Sequence, residues 1–147
     1  MTDPPPPIRA FLDANVLFSA AIGGGVARIW DLPNVSLVTS TYALTEAHNN
    51  LALAVAALEF DDQCLARLRD FASRTEITPH DPARPRPDAH ALSDPDDVAI
   101  LHGAIDSDCR YLITGDKKCF GPFFGKSLGG VTILRPAEFI QTVQASR

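Results

Sequence analysis

The chain has few of the features that mark secreted, membrane-spanning or zinc-binding proteins. It contains three cysteines in 147 residues, an odd number without paired close spacing, and they lie in or beside apolar runs. Such cysteines are typical of buried thiols rather than of disulfides or a zinc site. No apolar run approaches the roughly 18 residues that cross a membrane. The start, Met-Thr-Asp-Pro-Pro-Pro-Pro, has neither the basic region nor the apolar core of a secretory signal. These absences predict a cytoplasmic protein with no membrane partner.

Positive charge is also scarce. Lys and Arg total 13 against 18 Asp and Glu, which gives a formal net charge of −5. A protein that coats nucleic acid by bulk attraction needs a basic surface, so this class is disfavoured. An enzyme that acts on nucleic acid stays open, because carboxylates that hold divalent cations make a protein acidic and the bound cations reverse the local field.

The hydrophobic content of 46% over 147 residues suits one globular domain with a substantial core. Residues 1–7 hold four consecutive prolines and are predicted to be a flexible lead-in, which leaves residues 8–147 as a single domain. Short apolar runs predict strands over residues 8–12, 35–39, 75–78, 110–114 and 131–134. Helical spacing predicts helices over 42–50, 51–60 and 62–73, a helical turn within 26–31, and helices that begin near Pro95 and Pro136. Residues 79–95 contain five prolines and are predicted to be a surface loop.

Two of the predicted strands end in an acid. Asp13 and Asn15 follow the first strand, and Thr114 and Asp116 close the fourth. In an open parallel sheet the ligand crevice lies outside the carboxyl ends of the strands, so neighbouring strands would bring Asp13 and Asp116 together. The alternative for Asp13 is an N-cap of the following helix.

Glu46 and the pair Asp96 and Asp97 are further candidates on helices. Glu46 falls in the second turn of a helix, on the face of Tyr42, where an ordinary solvated glutamate is the alternative. Asp94 is a natural N-cap with proline at the next position, which places Asp96 and Asp97 in the first turn, where the helix dipole favours acids. The buried stripe of this helix is predicted at three apolar positions, Val98, Leu101 and Ile105.

Lys117, Lys118 and Lys126 flank a loop rich in Gly and Phe, residues 120–125. Two interpretations of this loop have equal weight. It contacts the backbone and bases of a nucleic acid, or it is a partly buried hydrophobic loop.

The order of these motifs resembles the PIN-domain family over nearly the whole chain. The matching segments are Phe11-Leu-Asp-Ala-Asn-Val-Leu17, Thr39-Ser-Thr41 leading to Glu46, Asp97-Val-Ala-Ile-Leu101, Tyr111-Leu-Ile-Thr-Gly-Asp116 and Val131-Thr-Ile-Leu-Arg-Pro-Ala-Glu-Phe139. The resemblance implies a three-layer α/β/α fold with a central parallel sheet and an acidic pocket that binds Mg²⁺ or Mn²⁺. It also implies an endoribonuclease selective for single-stranded RNA, often the toxin of a toxin–antitoxin pair, with an antitoxin protein as partner and a homodimer as assembly.

Carried over by position, the metal-holding and catalytic acids would be Asp13, Glu46, Asp97 and Asp116. Asn15 and Thr114 would be their polar supports. Asp13, Asp97 and Asp116 are expected as direct ligands, and Glu46 as a ligand or a base that orients water. Asp96 is the residue that the spacing does not separate from Asp97.

The chemistry of these residues agrees with the resemblance. Four carboxylates cannot converge without strong mutual repulsion unless some are protonated or cations neutralise them. Mg²⁺ prefers oxygen ligands, and one or two such ions activate water and stabilise the leaving oxygen in phosphodiester hydrolysis.

Two other functions stay open from the sequence. The first is a non-catalytic module of the same fold that binds RNA or a protein. The second, ranked third, is a phosphotransferase of the haloacid-dehalogenase type, whose motif needs a second Asp where this chain has Asn15.

Overall fold

A computed structural model describes residues 3–80 and 94–146, apart from the side chain of Cys119. Apolar β-strand segments form one six-stranded sheet in the order β3-β2-β1-β4-β6-β5. The strands are β1 (Ile8–Leu12), β2 (Val35–Ser40), β3 (Glu76–Thr78), β4 (Tyr111–Ile113), β5 (Ser127–Leu128) and β6 (Val131–Leu134). All pairs are parallel except the β5–β6 hairpin, which is antiparallel. The expected α/β fold with a central parallel sheet is thus confirmed, with one short antiparallel edge.

Within residues 3–80 and 94–146, six α-helices and two short 3₁₀ segments lie between the strands or after them. The helices are α1 (Ala14–Ala21), α2 (Thr41–Ala56), α3 (Gln63–Ser73), α4 (Pro95–Asp106), α5 (Lys117–Phe120) and α6 (Pro136–Ala145). The 3₁₀ segments are Gly25–Asp31 and Gly121–Phe123. None of the described helices is long and apolar enough to cross a membrane.

The chain adds strands to the sheet first on one side of β1 and then on the other. From β1 the chain adds β2 and then β3 on one side, and then returns to place β4 and β6 on the other. Because parallel crossovers are right-handed, helices α1 to α3 and helix α4 cover opposite faces, which makes three layers. The point of reversal lies between β1 and β4, where open α/β sheets form their ligand crevice.

The core is centred on β1 and β4, which contribute several fully buried apolar side chains. Phe11, Leu12, Leu112 and Ile113 have no exposed surface. Helix α4 approaches β1 so closely that a Cβ added at Gly103 would lie 2.7 Å from the ring of Phe11. Any side chain at position 103 would therefore force either the ring of Phe11 or the helix that carries Asp97 to shift.

The prediction of two helices over 42–50 and 51–60 is wrong, because a single helix, α2, runs from Thr41 to Ala56. Its buried residues continue at helical spacing across the proposed break at Asn50: Ala43, Ala47, Leu51 and Ala54. The segment contains no Gly or Pro to stop the helix. Helix α2 ends where Leu58 adopts a left-handed φ of 59° and the N–H of Glu59 donates to the carbonyl of Ala54.

The buried stripe predicted for α4 is only partly right. Leu101 is fully buried, but Val98 and Ile105 are half-buried, while Ile100 and Ala104 are buried instead. The helix contacts β1, β2, β4 and α2, so neighbours cover it on more than one side and a single stripe underestimates its burial.

Other sequence predictions concern cysteines and loops. Cys64 and Cys109 are buried free thiols, as expected. Burial raises the pKa of the Cys109 thiol to about 12.

The surface loop predicted over 79–95 lies largely outside the described residues, and the division into a lead-in and one domain stays a prediction.

Candidate active site

A cavity of about 930 Å³ opens at the carboxyl ends of β1 and β4. Six carboxylates contribute to its lining: Asp13, Glu46, Glu59, Asp96, Asp97 and Asp116. They come from the β1–α1 junction, α2 and the turn after it, the first turn of α4, and the residues after β4. The structure thus brings all four acids chosen from the sequence into one pocket, together with Asp96 and with Glu59, which the sequence analysis did not identify.

Asp13 combines the two roles that the sequence left open for it. Its Oδ1 accepts from the N–H of Ala14 at 2.6 Å, which makes it the N-cap of α1. Its carboxylate is also 6% exposed and lines the acidic pocket. Burial, together with the charges of Glu46 and Asp97, raises the pKa of Asp13 to about 6, although hydrogen bonds from Thr114 and Ala14 oppose the shift. A buried carboxylate with a raised pKa beside other carboxylates is typical of a functional site.

Thr114 and Asn15 surround Asp13 with hydrogen bonds. The Thr114 hydroxyl donates to Oδ2 of Asp13 at 2.8 Å, and the Asn15 amide donates to the same oxygen at 3.2 Å. Asn15 also accepts from the N–H of Gly115 at 2.9 Å, and Thr114 accepts from the N–H of Asp116 at 3.1 Å. This network joins the end of β1 to the end of β4. A haloacid-dehalogenase motif needs a second Asp at position 15 as a proton donor. Asn15 has an amide there instead, which supplies no acid proton.

Glu46 reaches the pocket from the second turn of α2. Ser40 is the N-cap of this helix, and its hydroxyl accepts from the N–H of Ala43 at 3.1 Å. Glu46 is half-buried, and burial raises the pKa of its carboxyl, with further contributions from the aspartates of α4 and from Asp116. The negative charges of the other pocket carboxylates act on Glu46, which therefore differs from an ordinary solvated glutamate.

Asp96 and Asp97 are adjacent in sequence but differ in surroundings. Asp97 is 7% exposed, whereas Asp96 is exposed and its Oδ1 accepts a hydrogen bond from the phenol of Tyr42. Burial and this hydrogen bond raise the pKa of Tyr42. The contact links α2 to α4. In the sequence, its only indication was that Tyr42 lies one helical turn before Glu46 and so on the same face of α2. Asp97 is the more enclosed of the two acids.

Asp116 follows β4 and is half-buried. Its Oδ1 accepts from the N–H of Lys118 at 3.1 Å, so this carboxylate also holds the start of α5. Asp13 and Asp116 are thus each anchored by a backbone N–H of a following helix.

The oxygen atoms that line the pocket are of the kind that bind a divalent cation. The pocket offers carboxylate oxygens and the raised pKa of Asp13 shows the repulsion and desolvation that a cation would relieve. As the side chains stand, no group of three His, Cys, Asp or Glu residues in 3–80 and 94–146 is arranged to hold a metal ion. The chemistry of the donors fits Mg²⁺ or Mn²⁺, and binding would require the carboxylates to adjust around the ion.

Replacing Thr114 by Val is expected to destabilise the protein by about 1–3 kcal/mol, because the fully buried hydroxyl donates to Asp13 and accepts from the N–H of Asp116. Urea unfolding measures this change in the free energy of unfolding. Thr114→Ser keeps the hydroxyl and is the control. Equal stability of the Val and Ser variants would contradict a structural role for the network.

Comparisons with known proteins agree with this geometry. The family model of the PIN domain matches residues 9–118, well over half of the chain. No curated protein sequence matches. Among solved structures, VapBC2 from Rickettsia felis, bound to a DNA fragment from its promoter, is 16% identical with a TM-score of 0.59 and covers 87% of this chain and 98% of that chain.

Two further structures share the fold. PAE2754 from Pyrobaculum aerophilum is 17% identical with a TM-score of 0.63, covering 94% of this chain and 90% of that chain. VapBC-1 from nontypeable Haemophilus influenzae is 14% identical with a TM-score of 0.53, covering 88% and 99%. The sheet order of this chain and the family match lead to one conclusion: the chain belongs to the PIN-domain family.

Proposed function

We propose that the protein is a Mg²⁺- or Mn²⁺-dependent endoribonuclease that hydrolyses phosphodiester bonds of single-stranded RNA, and that it acts as the toxin of a toxin–antitoxin pair. The observation that carries the proposal is the convergence of carboxylates from four parts of the chain on one pocket at the point where the sheet reverses. Membership of the PIN-domain family supports nuclease chemistry in that pocket.

In this proposal Asp13, Asp97 and Asp116 hold the cation. A divalent cation bound there neutralises the charge that develops on the phosphate during hydrolysis. Thr114 and Asn15 fix the Asp13 carboxylate through hydrogen bonds of 2.8 and 3.2 Å, so that it does not need to reorient as substrate binds.

Glu46 is proposed to orient the attacking water or to complete the ligand set. Because its pKa is raised, the Glu46 carboxylate is a stronger base than that of an ordinary glutamate. This suits a group that accepts a proton from water as the new phosphorus–oxygen bond forms. The leaving ribose oxygen takes up a proton from solvent water when its bond to phosphorus breaks. Tyr42 holds Asp96 to the side through its phenol, which leaves Asp97 as the α4 acid for the cation.

The toxin role is proposed from the family alone. It requires an antitoxin protein as partner, and homodimer formation stays a prediction of the same kind. Neither is carried by a contact within this chain.

One observation favours a second candidate, a PIN-fold module that binds RNA or protein without cutting. Within the described ranges the acids do not form a ready group of three for a metal ion. A module of this kind would show no saturable Mn²⁺ binding, because its acids would serve only the structure.

Cleavage of a mixed-sequence single-stranded RNA by the purified protein tests the proposal. We expect cutting with Mn²⁺ or Mg²⁺, none with EDTA, and a loss of about a hundredfold or more in Asp116→Asn. The exposed carboxylate of Asp31 provides the control variant Asp31→Asn, which should cut like the wild type. Cutting that persists in EDTA or in Asp116→Asn would overturn the assignment.

A further inference from the structure

Basic residues are concentrated in one stretch of this acidic chain. Between Asp116 and Glu138 there are four basic residues and no acidic one, although the whole chain has a formal net charge of −5. The basic residues include all three lysines of the protein: Lys117, Lys118, Lys126 and Arg135. The same stretch carries three of the eight phenylalanines. A local excess of positive charge and aromatic rings is thus built into one part of the sequence.

The fold places both ends of this stretch beside the acidic pocket. Strands β4 and β6 are parallel neighbours, with Ile113 opposite Leu134, so the residues that follow them leave the sheet at the same edge. The N–H of Thr114 donates to the carbonyl of Leu134, which fixes that alignment. Asp116 and Pro136 both line the pocket. Lys117 and Arg135 are the immediate sequence neighbours of these two lining residues, so the backbone brings two basic residues next to the rim of the carboxylate cavity.

At this rim the Arg135 guanidinium lies over the ring of Phe124, 4.5 Å from its centroid. Arg135 is exposed, and its side chain takes part in neither ion pair found in the described part of the chain. Phe124 is half-buried, which leaves part of the ring accessible. The pair therefore presents a planar cation stacked on an aromatic ring, with the donors of the guanidinium available to a ligand.

The loop that carries Phe124 is held against the sheet by backbone hydrogen bonds. The N–H of Gly125, in a left-handed conformation with φ of 81°, donates to the carbonyl of Ile133 at 2.7 Å. The N–H of Ile133 donates in turn to the carbonyl of Lys126 at 3.0 Å. Phe120 is fully buried, and Phe123 and Phe124 are half-buried against the core, so the interpretation as a partly buried hydrophobic loop is confirmed, while contact with a nucleic acid stays a prediction.

We propose that Phe124 and Arg135 form a subsite that stacks one base of a single-stranded RNA, while Lys117 and Lys118 bind the phosphates that lead towards Asp116. Lys117 and Lys118 are both exposed. The inference rests on the proposed function for the identity of the polymer, and it adds the place where the strand is held.

Physical reasons favour a nucleic acid strand as the occupant. A cavity lined by carboxylates repels a polyanion, so a substrate with phosphates needs positive charge at the rim to approach it. Arginine and aromatic side chains stack on bases, and every base offers a flat face, so such a subsite tolerates any sequence. Flexible lysines suit phosphates, which they meet as point charges.

The test is fluorescence anisotropy of a labelled single-stranded oligouridylate, measured in EDTA so that no cleavage occurs. A labelled abasic oligonucleotide of the same length and charge is the second probe. We expect Phe124→Leu and Arg135→Lys to weaken oligouridylate binding about tenfold each, because a stacked base is lost in both. Binding of the abasic probe should hardly change, and Phe124→Tyr should bind oligouridylate like the wild type.

Arg110→Lys is the matched control. Arg110 also lies over an aromatic ring, that of Tyr111 at 5.3 Å, but it precedes β4 and stands at the opposite edge of the sheet. This variant should bind both probes as the wild type does. Equal weakening of both probes by Arg135→Lys, unchanged binding in both subsite variants, or an absence of oligouridylate binding by the wild type would overturn the subsite.

The two proposals fail in different ways. If the wild type cuts RNA with metal but the subsite variants bind oligouridylate normally, the nuclease stands and the subsite falls. If the variants lose base-dependent binding but the wild type never cuts, the subsite stands and the nuclease falls.

Discussion

An Asp13→Asn variant is expected to lose RNA cleavage by about a hundredfold or more and, without metal, to be more stable than the wild type by up to about 3 kcal/mol at pH 7. The physical reason for the gain in stability is the buried carboxylate, whose pKa rises from 3.8 to about 6 on folding. The amide has no charge to desolvate, and its oxygen still accepts the N–H of Ala14. Its NH₂ takes the place of Oδ2 and cannot accept from Thr114 and Asn15, so about 3 kcal/mol is the upper limit of the gain.

The pH dependence gives this prediction its sign. A raised pKa in the folded protein means that the native state binds more protons than the unfolded state between about pH 4 and pH 6, so wild-type stability falls as pH rises through that window. The advantage of Asp13→Asn in EDTA should therefore shrink to about half of its pH 7 value at pH 5. Urea unfolding at the two pH values measures it. A variant that is less stable than the wild type at pH 7, or an advantage that does not change with pH, would contradict this account.

Mn²⁺ is expected to stabilise the wild type by about 2.7 kcal/mol at a hundred times its dissociation constant, because a ligand that binds only the folded state shifts the unfolding equilibrium. The ion also removes the repulsion among the pocket carboxylates, which the raised pKa values of Asp13 and Glu46 reveal. Thermal unfolding with increasing Mn²⁺ measures the effect, and EDTA should reverse it.

Matched variants decide where the ion binds. Asp97→Asn and Asp116→Asn each remove a proposed ligand and should lose most of the stabilisation by Mn²⁺. Asp62→Asn removes an exposed carboxylate at the start of α3 that makes no capping hydrogen bond, so its response should equal that of the wild type. The same stabilisation in all three variants would place the ion elsewhere and would favour the non-catalytic module.

Much of the fold could be predicted from local pattern. Short apolar runs such as 8–12 and 131–134 predict strands, and the structure has strands there. The Asp-Pro pair at 94–95 predicts the start of a helix, and α4 begins at Pro95. Because parallel strands end at one edge, the neighbourhood of Asp13 and Thr114, which are 101 residues apart, followed from two strand ends alone.

Other features depend on packing that local patterns do not contain. The predicted boundary between helices at Asn50 is absent, because the buried face of α2 continues past this residue and the helix runs on to Ala56. The hydrogen bond of Tyr42 to Asp96 joins residues 54 apart on different helices. Burial of Asp97 and exposure of Asp96 likewise depend on how α4 lies against the sheet, which helical spacing alone does not determine.

The central position of β4 has a consequence for the chain during its synthesis. A ribosome releases β1 and α2 long before β4, yet β4 is the strand that joins β1 to β6 and brings Thr114 to Asp13. Until β4 emerges, the sheet is open on one side of β1 and Asp13 lacks its hydroxyl partner. Contacts so distant in sequence form late and slowly. The pocket of a nascent chain should therefore stay incomplete until β4 and Asp116 have emerged from the ribosome.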